Sequence, residues 1–219
     1  MLQKTLFRIA KSPWMGKIVG MAFQYGSWAI PVERIIANKD VFVFRHPRPC
    51  YQNHIILSPK RSIQNLQQMA DPDLNGYFAK IWAAAIEVCA KQPEVYDSFK
   101  LVANGGKCQE VQQVHFHLFT NHPAVKDCSN NVQDGNIFYQ NEEICVYEHP
   151  RPEWEVHFVL KPAQASQCAY FRNVLHSIDL LNNQFHIVQK GYSLVYQHNP
   201  QKNDREIPVF HITSGKKRA

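Results

Sequence analysis

Residues 43–57 read Val-Phe-Arg-His-Pro-Arg-Pro-Cys-Tyr-Gln-Asn-His-Ile-Ile-Leu, and residues 146–160 read Val-Tyr-Glu-His-Pro-Arg-Pro-Glu-Trp-Glu-Val-His-Phe-Val-Leu. The tetrapeptide His-Pro-Arg-Pro is common to both, the flanking apolar positions match, and a second histidine, His54 or His157, follows at the same distance. Chance can supply a shared tetrapeptide. It rarely also supplies matched flanks and a matched histidine, so the chain reads as an internal duplication. A fainter parallel continues downstream. Phe99-Lys-Leu-Val102 matches Tyr192-Ser-Leu-Val195, and Val114-His-Phe-His-Leu118 matches Pro208-Val-Phe-His-Ile212.

Working outward, Asp40 to Phe44 and His54 to Leu57 carry the β-branched, alternating pattern of strands, and Pro47 and Pro49 break the chain between them into a turn. Asp71-Pro72 is a helix-start signal, and Leu74, Phe78, Ile81, Trp82, Ala85, Ile86 and Cys89 then recur at helical spacing up to Lys91-Gln92. Residues 163–183 are the counterpart helix, with Phe171, Val174, Leu175, Ile178 and Leu181 on one stripe. Each half is therefore expected as strand, turn, strand, helix, strand, loop, strand. The fold class is α+β: two modules in tandem, each an antiparallel sheet with a packed helix. The expected boundaries are an N-terminal arm over 1–37, a first module over 38–122 and a second over 138–215, with 123–137 as linker.

A chain of 219 residues with 45% apolar and 19% charged residues is a globular composition, large enough to bury a substantial core. The net charge of +6 favours anionic partners. The only cluster is the Lys216-Lys217-Arg218 tail, read as a solvated end, so nucleic acid is not expected as a partner. The six cysteines form no Cys-x-x-Cys pair, which leaves zinc-ribbon and thioredoxin-like motifs unsupported. A reducing, cytoplasmic setting is the simplest reading. Met1 to Pro31 mixes Lys4, Arg8, Lys11 and Lys17 with apolar residues and has no stretch long enough to span a bilayer. Two readings of this arm stand, a helical segment packed on the domain and a basic amphipathic segment on a membrane surface; the packed arm is preferred.

The chemistry-bearing stretch is Gln113-Val-His-Phe-His-Leu118. Read as part of a strand from Val111 to Phe119, it places Gln113, His115 and His117 on one face and Val114, Phe116 and Leu118 on the other. A neutral imidazole is a nucleophile and proton carrier near pH 7, and a second imidazole two residues on, when protonated, holds charge on a phosphoryl group. Gln113 can orient a ligand but transfers no proton. Just upstream, Asn104-Gly-Gly-Lys-Cys-Gln109 contains two glycines, Gly105 and Gly106, that let a backbone approach phosphate oxygens.

These residues resemble the histidine-triad (HIT) signature: Gln109, Val111, then Gln113-Val-His-Phe-His-Leu in place of His-φ-His-φ-His, φ being apolar. The resemblance extends upstream over Phe42 to Lys60 and covers roughly residues 38–122; the second half resembles a degenerate copy. Two fused copies are similar to the tandem architecture of galactose-1-phosphate uridylyltransferase and diadenosine-tetraphosphate phosphorylase, relatives in the same superfamily. The resemblance implies a nucleotide substrate attacked at its α-phosphorus by His115, with a nucleotidyl-histidine intermediate resolved by water or another acceptor. It implies that His117 and Gln113 serve beside His115, and that His54, Asn104, Gly105, Gly106 and Gln109 bind the nucleotide. Gln113 replaces the first histidine, His46 stands near the ribose-binding acid of many members, and Glu110 replaces a serine. In the second copy Ile207, Val209 and His211 occupy the three triad positions, so that half is expected to be structural.

His-x-His on a strand is also a metal-ligand spacing, but no third ligand is obvious beyond His54 or Glu110, and the reading is no metal and no cofactor. His46, His149 and His157 read as turn or packing residues, and Tyr77, Phe78 and Trp82 as core rather than a base-stacking platform. The function expected is a nucleotide phosphohydrolase or nucleotidyltransferase taking a nucleotide or dinucleotide-type small molecule. The alternative is a non-catalytic nucleotide-binding or scaffold protein of the same fold. Because single-module relatives pair through their sheets, the chain is expected as a pseudo-dimeric monomer or a homodimer.

Overall fold

The computed structural model describes residues 32–37, 39–120, 135–163, 166–198 and 208–218. The arm up to residue 31 and the linker between 121 and 134 lie outside them, so neither reading of the arm is decided. Ten strands are present: β1 (Arg34–Ala37), β2 (Val41–Arg45), β3 (Gln52–Pro59), β4 (Phe99–Gly105), β5 (Phe116–Thr120), β6 (Ile137–Gln140), β7 (Ile144–Glu148), β8 (Trp154–Pro162), β9 (Tyr192–Gln197) and β10 (Phe210–Lys217). Two long helices, α1 (Gly76–Lys91) and α2 (Gln167–Phe185), accompany them.

The duplication is visible strand by strand. The expected two-plus-two strand pattern around a helix occurs in both halves, and each half also has an outer strand, β1 or β6, that the periodicity did not reveal. β1 falls inside the segment assigned to the arm, and Ile137 belongs to β6 rather than to the linker. α1 starts at Gly76 rather than Asp71. Leu74 and Asn75 donate their N–H groups to Asp71 O, and the Asp71 carboxylate accepts from Asp73 N–H at 2.9 Å, so residues 71–75 close as turns ahead of the helix. α2 begins after Ser166, whose hydroxyl accepts from Ala169 N–H at 3.4 Å, an N-cap.

All ten strands form one antiparallel sheet, in the order β1-β2-β3-β5-β4-β9-β10-β8-β7-β6. The halves meet through β4 and β9, with Val102 opposite Val195 and Asn104 opposite Ser193. Side chains alternate across the sheet. Ile55, Leu57, Leu101, Ala103, Phe116, Leu118, Leu194, Phe210 and Ile212 face α1 and α2 and form one core shared by both halves. Phe78 of α1 stacks on Phe171 of α2 at 4.6 Å, and Trp82 meets Tyr196 edge-on at 4.8 Å. These aromatics are buried, as expected of core residues. The opposite face carries His54, Ile56, His117, Val102, Asn104, Ser193, Val195, His211 and His157, as the register dictates. No described helix is long and apolar enough to cross a membrane.

Candidate active site

The site lies on the face of the sheet opposite the described helices α1 and α2, where β5 sits between β3 and β4. His117 is opposite Ile56 on one side and Val102 on the other. The strand begins only at Phe116, which corrects the expectation of a strand from Val111. Before it, residues 111–115 leave the ladder and bind the loop that follows β3. Val114 N–H donates to Ile63 O at 2.7 Å, and Ser58 Oγ–H donates to Val114 O at 2.8 Å.

Gln113 makes this turn. Its side chain is 1% exposed; Nε2 donates to Pro59 O and Arg61 O, both at 3.0 Å, and Oε1 accepts from Ile63 N–H at 3.3 Å. The amide is thus committed to the main chain of the 59–63 loop instead of facing a ligand beside the two histidines. Gln109 behaves similarly. Its Nε2 donates to Gln64 O and to Val111 O.

His115 is half-buried, and its Nδ1 lies 2.8 Å from Gln113 O. A carbonyl only accepts, so Nδ1 carries the proton and Nε2 carries the lone pair. Burial lowers the His115 pKa, opposed by the Gln113 carbonyl and the charge of Glu110, so the ring is neutral and nucleophilic at pH 7. Its ring stands edge-on to His117 at 4.9 Å.

His117 sits at the end of a hydrogen-bonded chain. Cys50 N–H points at His54 Nδ1 at 3.4 Å, which leaves the His54 proton on Nε2, and Nε2–H donates to His117 Nδ1 at 2.8 Å. The remaining proton of His117 is therefore on Nε2, available to a ligand. Burial pushes His54 down to about 3 and His117 to about 2, with the neighbouring imidazoles adding to both. His117 is therefore a neutral imidazole with an N–H to donate, because burial and the neighbouring imidazoles disfavour its charged form.

His46 belongs to the same cluster. It stacks on His54 at 4.2 Å and 5°, and accepts from Arg48 N–H at 3.1 Å. Its stacking is the packing role that the sequence indicates for His46, and the duplicated His-Pro-Arg-Pro with its spaced second histidine is the signal for the stack. The second half repeats the arrangement. His149 stacks on His157 at 4.1 Å, and His157 Nε2–H donates to His211 Nδ1 at 3.2 Å. Val209 stands where His115 would be, so that half keeps the imidazole chain without a histidine at that position.

In each half three imidazoles bring nitrogens within 4.8 Å of one another, His46, His54 and His117 in the first and His149, His157 and His211 in the second. Ligating histidines ordinarily donate their outer N–H to an acceptor. Here Nδ1 of His46, His54, His149 and His157 each accepts a main-chain N–H, which places the protons on the inward nitrogens. The hydrogen bonding thus describes neutral stacked imidazoles rather than a cation's donor set.

The glycine pair has a packing reason. A Cβ on Gly105 would lie 2.1 Å from the ring of Tyr192, and one on Gly106, whose φ is +57°, would lie 2.1 Å from Val188 O. Asn104, one residue beyond the last β4–β5 pair (Ala103 with Phe116), faces the same side of the sheet as His117, and its Oδ1 accepts from Ser193 Oγ–H at 2.7 Å.

The HIT domain family matches residues 28–124. A HIT-like protein of Helicobacter pylori is 31% identical over 93 residues, which span 42% of this chain and 86% of that one. The chain belongs to the HIT family. Its tandem form also has structural counterparts. A DUF4931 family protein of Bacillus cereus superposes with a TM-score of 0.58 at 14% identity, over 85% of this chain and 87% of its own. An ADP-glucose phosphorylase of Arabidopsis thaliana with bound ADP-glucose does so at 0.58 and 8% identity, over 90% and 82%. At these identities the likeness is one of fold, and it extends across both halves of this HIT protein.

Proposed function

We propose that this HIT protein is a nucleotide hydrolase or nucleotidyltransferase that works at the α-phosphate with His115 as nucleophile. The observation that carries the reading is the tautomer of His115: Nδ1–H is held by Gln113 O, so Nε2 presents its lone pair beside the N–H of His117. In the first step Nε2 bonds to the α-phosphorus and the bond from phosphorus to the leaving group breaks. His117 Nε2–H donates to a phosphoryl oxygen, where negative charge builds. In the second step water or another acceptor bonds to phosphorus, and the N–P bond breaks, returning its electron pair to Nε2. The ADP-glucose bound by the structural neighbour supports a nucleotide as the ligand class. Asn104, on the same face as His117, is assigned to the phosphate, with His54 holding His117 in its tautomer. Val209 leaves the second half without a nucleophile of its own.

His115→Ala is expected to abolish turnover on a panel of dinucleotide polyphosphates, nucleotide sugars and nucleoside phosphoramidates. Intact-mass spectrometry of the wild-type protein should show a nucleotidyl adduct that the variant lacks. Unchanged activity in the variant would overturn the assignment. Tight nucleotide binding by the wild type without turnover would favour the non-catalytic reading, which the loss of the first triad histidine to Gln113 also suits.

A further inference from the structure

The second half has no nucleophile, yet it reaches into the first half's site. β9 pairs with β4 so that Ser193 lies directly opposite Asn104. Both side chains are half-buried on the face that carries His117. Ser193 Oγ–H donates to Asn104 Oδ1 at 2.7 Å, across 89 residues of sequence. Neither side chain makes another hydrogen bond among the described residues.

An asparagine amide presents two chemically opposite ends. Turned one way it offers N–H donors to a phosphate oxygen; turned the other way it offers a carbonyl that repels the anion. The Ser193 proton has Asn104 Oδ1 as its one acceptor among the described residues. With the amide flipped, Nδ2 would donate to Ser193 Oγ and the carbonyl would face the ligand; with an anion on the open side, only the orientation that gives Oδ1 to the Ser193 hydroxyl satisfies both ends of the amide. In this orientation the hydroxyl takes the carbonyl end toward β9 and both Nδ2 protons remain for a ligand on the face that carries His117. Tyr192, the preceding residue, packs its ring against Gly105 and fixes how closely β9 approaches.

We propose that Ser193, supplied by the second half, is a positioning residue of the first half's site, orienting the Asn104 amide so that Nδ2 faces the α-phosphate. This rests on the nucleotide-transfer reading given above. The second half thereby has a role in the reaction without chemistry of its own: it sets the polarity of a phosphate contact.

The test is a double-mutant cycle in the full-length protein with steady-state kinetics, together with urea unfolding of each variant to correct for stability. Ser193→Ala should lower kcat about tenfold, the scale of one oriented hydrogen bond in the transition state, with a smaller change in KM. Ser193→Thr, which keeps the hydroxyl, should recover most of that loss. In an Asn104→Ala background, Ser193→Ala should have no further effect. Equal losses in both backgrounds, no loss in the wild-type background, or a threonine variant as impaired as alanine would each overturn the proposal. If the wild-type protein turns over nothing in the panel, the catalytic reading falls, and calorimetry with adenosine 5′-monophosphate decides the rest. Ser193→Ala must then weaken binding in the wild-type background and not in Asn104→Ala; absence of binding by the wild type overturns both.

Discussion

Gln113 occupies the place of the family's first histidine, and its amide holds a loop that an imidazole in that place could not. Three main-chain hydrogen bonds converge on a side chain that is 1% exposed. Gln113→Ala should leave Pro59 O, Arg61 O and Ile63 N without these partners and lower stability by about 2–4 kcal/mol, read from the urea midpoint. Gln113→His can restore at most part of this, because one ring cannot serve three groups in that geometry. The buried histidines give a second residue-level expectation. Their ordinary pKa is 6.5, and burial holds His54 and His157 at about 3. Between those values the unfolded chain carries protons that the folded chain lacks, so stability is full above pH 6.5 and falls as the pH drops toward 3. Urea unfolding at pH 7.5 and pH 5 should show the loss, with uptake of roughly four protons on unfolding at the lower pH, since His117 and His211 are lowered as well. An unchanged midpoint would mean that the imidazoles protonate in place.

At the scale of elements, the junction of β4 with the 3₁₀ turn Gly106–Cys108 is where the two halves press together. The two glycines should respond differently. Gly105→Ala collides with a side chain, the Tyr192 ring, while Gly106→Ala collides with a backbone carbonyl, Val188 O, at a left-handed φ of +57°. Each is expected to cost about 1–3 kcal/mol. Tyr192→Leu should relieve part of the Gly105→Ala loss, whereas no substitution at Val188 should rescue Gly106→Ala. Thermal melts of the paired variants check this. The sequence reading gave these glycines to phosphate because a Gly-Gly pair near histidines suits an anion. That they accommodate Tyr192 and Val188 depends on contacts about 80 residues away, which no local pattern encodes.

For the whole molecule, β4 and β9 lie at the centre of the ten-stranded sheet rather than at an edge. A fragment ending at residue 134 would expose β4 along its full length, with Leu101 and Ala103 losing part of the shared core. It is expected to associate through that edge in a concentration-dependent manner, by sedimentation velocity, while the intact chain unfolds in a single cooperative transition. A stable monomeric fragment would show that each module closes its own core.

Much of this was legible in the sequence, because local patterns carry local physics. Alternation of apolar residues named β2 and β3; the 3.6-residue stripe named both helices; and the repeated His-Pro-Arg-Pro announced two copies of one unit, carrying the strand pair over to β7 and β8. The intervals between histidines put His115 and His117 in the order that the HIT signature requires. Other features came only with the tertiary structure, since each depends on partners far away along the chain. The loop after β3 drew Gln113 out of the strand. The fold of the turn stacked His46 on His54. The pairing of β4 with β9 merged two modules into one sheet and brought Ser193 to Asn104. Periodicity tells a side chain which face it belongs to; only the closed sheet tells it what stands opposite.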